Sequence, residues 1–226
     1  MLLPRRPTHV IFDMDGVLLD TEQIYTDVTQ EIVGRFGKIY DWSVKRHMIG
    51  RPSIDSARYL VRTLDLPIAP EQYLAEREEA FVTRMPEAKR MPGAAELVAA
   101  LRAHRIPTAV ATSSSRHLFE LKTQRHRDWF AGFDAIVVGD DPRVERGKPA
   151  PDIFLLAARE LGADPATCLV FEDAPAGVDA ARAAGMMVVG VPYPGLEVEA
   201  LALADHVADS LAVVTLERLG VAADIE

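Results

Sequence analysis

The chain has 226 residues, of which 49% are hydrophobic and 26% are charged, and its net charge is −9. This size suits one large domain, or a main domain with a smaller insert, and the composition is that of a soluble globular protein. An acidic balance without a long Lys/Arg block argues against sequence-independent binding of nucleic acid, and no apolar stretch reaches the roughly 18 residues of a membrane span. We expect a cytoplasmic protein without a nucleic-acid, membrane or obligate protein partner, and a buried thiol at Cys168, its single cysteine.

Short β-branched runs along the chain predict buried strands: HVIFD at 9–13, TAVATS at 108–113, AIVVG at 135–139, CLVFE at 168–172 and MVVGV at 187–191. From the second run on, helical patterns separate them, as at 154–162 and 176–185, which end on glycines. The runs are apolar almost throughout, as strands buried on both faces are. The pattern predicts an α/β fold with a Rossmann-like parallel sheet and helices on both faces.

The interval from about 18 to 91 interrupts this alternation. It shows no convincing strand, and it contains helical patterns at 22–36, 53–66 and 70–85. We therefore predict a catalytic core formed by residues 1–17 and 92–226, with an inserted small α-helical cap domain at 18–91. Because the insert follows the first strand directly, it could cover the carboxyl end of that strand.

Asp13 and Asp15 directly follow the first apolar run, and three interpretations compete for them. Asp is common in turns and helix caps, but Asp20 with Thr21 is the better cap for the first helix of the insert. A calcium loop starting at Asp13 fails, because its later positions are Val17, Leu18 and Ile24. A catalytic site fits the carboxyl end of a strand, where open α/β sheets bind their ligands.

Polar side chains also follow the other predicted strands. Thr112, Ser113 and Ser114 end the second run, and Glu172 with Asp173 ends the fourth. Lys148 follows the third run, in a segment that lacks the spacing of a nucleotide-binding loop. A hydroxyl cluster alone is a weak signal, because such residues cap many helices. Four strands that deliver such groups to one edge favour a catalytic site.

These residue types suit phosphoryl transfer. An aspartate can attack a phosphoryl group only if the negative charge of that group is neutralised, and Mg²⁺ held by carboxylates can supply the neutralising charge. A lysine and hydroxyl or backbone N–H donors can hold the phosphoryl oxygens. A second aspartate, two residues further on, can act as general acid and base.

The segments DMDGVLLDT, ATSSS, GKPAPD and VFEDAPAG are together similar to the four signature motifs of the haloacid dehalogenase-like superfamily, in the same order. The insert resembles the small helical cap of the β-phosphoglucomutase and phosphoglycolate phosphatase subgroup. The second aspartate of DMD argues against the dehalogenases, which lack it. Within the subgroup, QRHRDWF and the segments around the last two motifs look most similar to pseudouridine-5′-phosphatases.

The resemblance implies a role for each matching residue. Asp13 would be the nucleophile that becomes aspartyl-phosphate, and Asp15 the general acid/base. Mg²⁺ would bind Asp13, the backbone carbonyl of Asp15, Asp173 and, directly or through water, Glu172. The phosphoryl group would be held by Thr112, the N–H of Ser113 and Lys148.

The same resemblance leaves the type of phosphate chemistry open. The expected substrate is a small phosphorylated metabolite, a sugar phosphate or a nucleotide-like compound such as pseudouridine 5′-phosphate. A β-phosphoglucomutase-like mutase is the alternative, but the mutase has a histidine and an arginine where this chain has Tyr25 and Ser53. A binding protein without catalysis would be expected to lack the nucleophile or the lysine, and both are present. We therefore predict a phosphatase.

Overall fold

The computed structural model describes residues 3–48, 53–193 and 195–221. The chain divides into two compact units, one formed by Met1–Asp20 with Lys89–Glu226 and the other by Thr21–Ala88. The assignment of the second unit as a cap domain stays a prediction.

The first unit contains a six-stranded sheet in which every neighbouring pair is parallel. Its strands are β1 (His9–Phe12), β4 (Thr108–Thr112), β5 (Ala135–Val138), β6 (Cys168–Glu172), β7 (Met187–Gly190) and β8 (His206–Val207). The order across the sheet is β5-β4-β1-β6-β7-β8, which places β1 between β4 and β6. Ligands of open α/β sheets bind where the strand order reverses, and here that point is the carboxyl end of β1.

Helices cover both faces of this sheet, as the sequence predicts. The helices of the unit are α5 (Ala94–Ala103), α6 (Arg116–Lys122), α7 (Arg127–Phe130), α8 (Asp152–Glu160) and α9 (Pro175–Ala183). One face packs against α8 and α9 through side chains such as Ile11, Val170 and Phe154. On the other face Phe12 stacks on Phe171 and contacts Phe133, which adjoins the rings of α6 and α7. The predicted α/β fold is therefore confirmed.

A two-stranded antiparallel sheet lies where the chain leaves and re-enters the first unit. Its strands are β2 (Leu19–Asp20) and β3 (Lys89–Arg90), and Leu19 pairs with Arg90. The expectation that 18–91 contains no strand is therefore wrong at both ends of the interval. Strands of two residues are too short to produce the alternating pattern by which strands are recognised.

The second unit is helical over the residues that the structure describes. Its helices are α1 (Glu22–Gly34), α2 (Trp42–Lys45), α3 (Ser53–Thr63) and α4 (Pro70–Arg84). Thr21 is the N-cap of α1, but its side chain makes no capping bond, so the expected Asp20–Thr21 cap is only partly realised. Helices α1 and α4 pack through the rings of Tyr25 and Phe81, whose centroids lie 4.8 Å apart. None of the helices described, in either unit, combines the length and the apolar character that crossing a membrane requires.

Candidate active site

Asp13 lies at the carboxyl end of the central strand. Its backbone N–H continues the parallel pairing by donating to the carbonyl of Phe171 at 2.9 Å. The following loop is tight, because the N–H groups of Leu18 and Leu19 both donate to the carbonyl of Met14. Gly16 has a φ of +80°, a conformation that favours glycine. The strand and this loop together fix the positions of Asp13 and Asp15.

Lys148 reaches Asp13 from the loop between β5 and α8. Its Nζ lies 2.5 Å from Oδ1 of Asp13, 2.7 Å from Oε1 of Glu172 and 3.2 Å from the carbonyl of Ala111. All three charged side chains are less than 10% exposed. The arrangement is one buried cation between two carboxylates, and its net charge is negative when both carboxylates are ionised.

Burial and charge act together on the protonation of this cluster. Burial raises the pKa of the Asp13 carboxyl to about 7 against the opposing effect of Lys148, and the carboxylates of Glu172 and Asp15 add to the rise. Burial would lower the pKa of Lys148, but Asp13 and Glu172 outweigh it and hold that pKa above its ordinary value. Lys148 is therefore a permanent cation at neutral pH.

Both carboxylate oxygens of Glu172 accept hydrogen bonds from groups of the chain. Its Oε1 accepts from Lys148, and its Oε2 accepts from the backbone N–H groups of Asp173 and Ala174 at 2.8 and 2.9 Å. A direct bond from Glu172 to a metal would use the second lone pair of Oε1, beside the bond from Lys148. In this geometry Glu172 orients Lys148 and fixes the turn that carries Asp173.

Asp15 accepts hydrogen bonds at both carboxylate oxygens. Thr112 and Ser114, at the end of β4, donate to Oδ2 over 3.2 and 2.9 Å, and the ammonium of Lys122 lies 2.5 Å from Oδ1. Thr112, expected to bind phosphate, therefore contacts the expected acid/base in this structure. Its contact with a phosphoryl group stays a prediction.

Lys122 is the functional candidate that the sequence analysis missed. It is the last residue of α6, is 1% exposed, and donates to Ser114 Oγ at 2.8 Å as well as to Asp15. One signal was available: Lys122 follows Phe119 by three residues, so both side chains lie on the buried face of one helix. A lysine on a buried helix face requires a partner.

Ser113 directly follows β4, at an exposed position beside the loop that follows β5. The N–H of Gly139 donates to the carbonyl of Ser114, and a Cβ at Gly139 would lie 2.3 Å from the carbonyl oxygen of Ser113. This close approach holds the backbone around Ser113 at the sheet edge. A phosphate contact from its N–H stays a prediction.

The residues around Gly16 have the chemistry of a site for an oxygen-seeking cation. A Cβ added to Gly16 would lie 2.1 Å from Oδ2 of Asp173, so glycine leaves the space in which that carboxylate meets the loop. The carboxylates of Asp13 and Asp173 and the carbonyl of Asp15 are oxygen donors, as Mg²⁺ prefers. Within the described residues, no group of three or more His, Cys, Asp or Glu side chains is placed to hold a metal. Two carboxylates with one carbonyl fit Mg²⁺, which usually keeps several waters.

The structure thus brings the predicted residues Asp13, Asp15, Thr112, Lys148, Glu172 and Asp173 to one sheet edge. Residues 7–185 match the family model described as haloacid dehalogenase-like hydrolase. The chain belongs to this family. The family resemblance predicted from the four motifs is thereby confirmed.

Relatives of this hydrolase include two eukaryotic proteins. It is 47% identical over 209 residues to (DL)-glycerol-3-phosphatase 2 of Arabidopsis thaliana, with 90% of this chain and 87% of that protein covered. It is 44% identical over 222 residues to the probable pseudouridine-5′-phosphatase of Drosophila melanogaster, with 97% and 96% covered. The hydrolase is accordingly a phosphatase of the haloacid dehalogenase-like family.

A solved protein structure has a fold similar to that of this chain. The putative β-phosphoglucomutase from Thermotoga maritima matches with a TM-score of 0.77 and 32% identity, and 94% of this chain and 97% of that one are covered. Phosphatases and a putative mutase thus share this architecture. The choice between the two reactions depends on features other than the fold.

Proposed function

We propose that this hydrolase is a Mg²⁺-dependent phosphomonoesterase that acts on a small phosphorylated metabolite through an aspartyl-phosphate intermediate. The observation that carries the proposal is the buried contact of Asp13 with Lys148, at 2.5 Å, beside Asp15 with its own set of donors. A nucleophile, a permanent cation and a carboxylate held for proton transfer meet at one sheet edge. Phosphoryl transfer through an aspartyl-phosphate intermediate uses these three groups.

In the first step, an oxygen of Asp13 bonds to phosphorus while the bond to the leaving oxygen breaks. Asp15 gives its proton to that oxygen, and the alcohol product departs. In the second step, Asp15 takes a proton from water, the water oxygen bonds to phosphorus, and the bond to Asp13 breaks to release inorganic phosphate. The carboxyl of Asp15 thereby regains the proton that it gave.

Cations and donors of the chain oppose the charge of the phosphoryl group. Lys148 and the N–H of Ser113 would hold its oxygens, and Thr112 would join them when its hydroxyl leaves Asp15. Asp13, the carbonyl of Asp15 and Asp173 would hold Mg²⁺, whose charge offsets that of the phosphoryl group. Glu172 would bind the metal through the second lone pair of Oε1, which also accepts from Lys148, or through water.

The names of the relatives suggest two substrates to test first, glycerol 3-phosphate and pseudouridine 5′-phosphate. A panel of phosphomonoesters that includes both should show release of phosphate for at least one compound. We expect the activity to disappear in a chelator and to return with Mg²⁺. Full activity in a chelator, with no metal in the sample, would contradict the proposed cation.

Asp13→Asn tests the nucleophile, because the amide keeps the size of the side chain and removes the attacking charge. We expect turnover to fall by roughly 10⁴-fold, the order found when one member of a nucleophilic catalytic unit is replaced. Asp179→Asn, at an exposed position of α9, is the matched control and should keep wild-type turnover. Near-normal turnover in Asp13→Asn, with the control unchanged, would exclude the covalent route.

A further inference from the structure

Hydrogen bonds link Lys122, Ser114 and Asp15 pairwise in a closed ring. The ammonium lies 2.5 Å from Asp15 Oδ1 and 2.8 Å from Ser114 Oγ, and the hydroxyl of Ser114 donates to Asp15 Oδ2 at 2.9 Å. Two donor side chains, linked to each other, thus define the plane of one carboxylate. A carboxylate bound at both oxygens cannot rotate without breaking one of these bonds.

The elements that carry these donors are themselves fixed. Ser114 N–H donates to Thr112 Oγ1 at 3.1 Å, which stiffens the end of β4. One turn before Lys122, Phe119 packs edge-on against Phe130, with ring centroids 5.6 Å apart. Lys122 therefore extends from a packed helix and not from a mobile surface.

Burying the ammonium group of Lys122 costs free energy, and a contact with an opposite charge has to offset that cost. Lys122 is 1% exposed, and Asp15 is the carboxylate with which it pairs. Removing an ammonium from water is costly even after relaxation, and a hydrophobic residue of similar volume often gives a fold as stable as the ion pair does. The stability of the fold therefore does not account for a lysine at position 122. Its contact with Asp15 points to a role in the function of that aspartate.

We propose that Lys122 is a positioning residue, which together with Ser114 holds the carboxyl group of Asp15 in the orientation from which it transfers protons. The proposal rests on the proposed function, in which Asp15 protonates the leaving oxygen. Lys122 touches neither the substrate nor the phosphoryl group in this account. It acts through the place and rotation of Asp15 alone.

The leaving group provides the readout. An alkyl phosphate such as glycerol 3-phosphate leaves as a strongly basic alkoxide unless a positioned acid protonates it. The aryl ester 4-nitrophenyl phosphate leaves as a weakly basic phenolate and needs little protonation. Since kcat/KM covers the steps up to loss of the leaving group, a misplaced Asp15 should lower kcat/KM much more for the alkyl ester.

The test compares Lys122→Met with wild type on these two substrates. We expect kcat/KM for the alkyl phosphate to fall by about 10²-fold, the size of loss that a misplacement of about 1 Å produces, and kcat/KM for the aryl phosphate to fall by a clearly smaller factor. In an Asp15→Asn background, Lys122→Met should add no further difference between the substrates, because the two residues act as one unit.

Two further variants keep the test decisive. Ser114→Ala removes a donor to the same carboxylate with a smaller change of volume, and it should show the same preference for the aryl ester if Lys122→Met fails to fold. Glu120→Met removes a charged side chain from the exposed side of α6 and should leave both substrates unchanged.

Equal losses on the two esters in both Lys122→Met and Ser114→Ala would assign these residues a purely structural role and overturn the proposal, as would unchanged kinetics. The alkyl ester in this test is the compound of the phosphomonoester panel that the wild type hydrolyses best. A wild-type protein that hydrolyses no compound of the panel, 4-nitrophenyl phosphate included, would instead refute the proposed function, so the two failures are distinguishable.

Discussion

Two buried lysines face carboxylates at the same sheet edge, and each has its own geometry. Lys148 bridges Asp13 and Glu172, whereas Lys122 pairs with Asp15 and a hydroxyl. Breaking such a pair by removing one partner is costly, because the remaining charge stays buried without compensation. The two carboxylates beside Lys148 make its loss the more severe case.

Lys148→Met should therefore destabilise the fold as well as abolish turnover. With a chelator present, we expect the free energy of unfolding in urea to fall by about 3–5 kcal/mol, since Asp13 and Glu172 would then face each other without a cation. Lys89→Met, at an exposed position of β3, is the matched control and should change stability by no more than about 0.5 kcal/mol.

A second substitution tests the cause of this loss. Adding Asp13→Asn to Lys148→Met removes one of the two opposed charges, and we expect it to restore part of the lost stability. If the double variant is less stable than Lys148→Met, repulsion between the carboxylates is not the origin of the effect.

At the scale of elements, helix α9 carries a glycine, Gly177, that lies against the side chain of Glu172 at the end of β6. A Cβ added to Gly177 would lie 1.7 Å from Oε1 of Glu172. The helix thus approaches the site so closely that only a hydrogen atom fits between Gly177 and the carboxylate. The position of Glu172, and through it that of Lys148, depends on this contact.

Gly177→Ala should consequently lower the stability of the fold, whereas a glycine-to-alanine change in a helix usually raises it. Replacing glycine by alanine inside a helix ordinarily stabilises by up to about 1 kcal/mol. Here we expect lower stability in urea and a lower kcat, because the methyl group displaces Glu172. Gly34→Ala in α1 is the matched control, since its Cβ would meet only Nε2 of Gln30, at 3.3 Å, which has to move by no more than a few tenths of an ångström. An increase in stability at Gly177 equal to that at Gly34 would show that Glu172 moves aside at no cost.

The elements that the sequence predicts well are those with long apolar patterns. The runs at 9–13 and 168–172 appear as β1 and β6, and the side chains that follow them meet at one edge because parallel strands end together. Lys122 could not be assigned in the same way, because it ends a helix and does not follow a strand, so the strand order says nothing about its partner, which is 107 residues away in the chain. Neither helix periodicity nor a local motif records a contact of that range.

Strand ends also predict proximity better than they predict hydrogen-bond partners. The sequence places Thr112 and Glu172 near Asp13, but it cannot show that Thr112 bonds to Asp15 or that both oxygens of Glu172 are occupied. Such pairings depend on side-chain rotamers and on the approach of helices such as α9. They follow from packing, which the order of residues alone does not reveal.

At the scale of the whole molecule, the open choice is between hydrolysis and intramolecular transfer. A mutase must keep water from its aspartyl-phosphate and present a sugar hydroxyl, whereas a phosphatase admits water and releases phosphate. The family resemblance places a histidine and an arginine of the mutase at Tyr25 and Ser53. In this chain the Tyr25 ring packs against Phe81 inside the second unit.

We therefore expect free phosphate to appear in step with the loss of a good substrate. Addition of glucose 1-phosphate should yield no glucose 6-phosphate, and ³¹P NMR of the mixture follows both signals at once. A known β-phosphoglucomutase run beside it, with its own substrate, provides the positive control. A growing 6-phosphate signal without matching free phosphate would identify a mutase.

The short ribbon of β2 and β3 has an evolutionary consequence. Because Asp20 pairs with Lys89, the two ends of the 68-residue segment Thr21–Ala88 are joined to neighbouring points of the first unit. Domain insertion is best tolerated where the two chain ends lie close together. A lineage could exchange this segment for a longer, shorter or unrelated one while the ribbon, Asp13 and Asp15 kept their places. Such an exchange would need recombination at only these two neighbouring points and would leave the chemistry at the sheet edge unaltered.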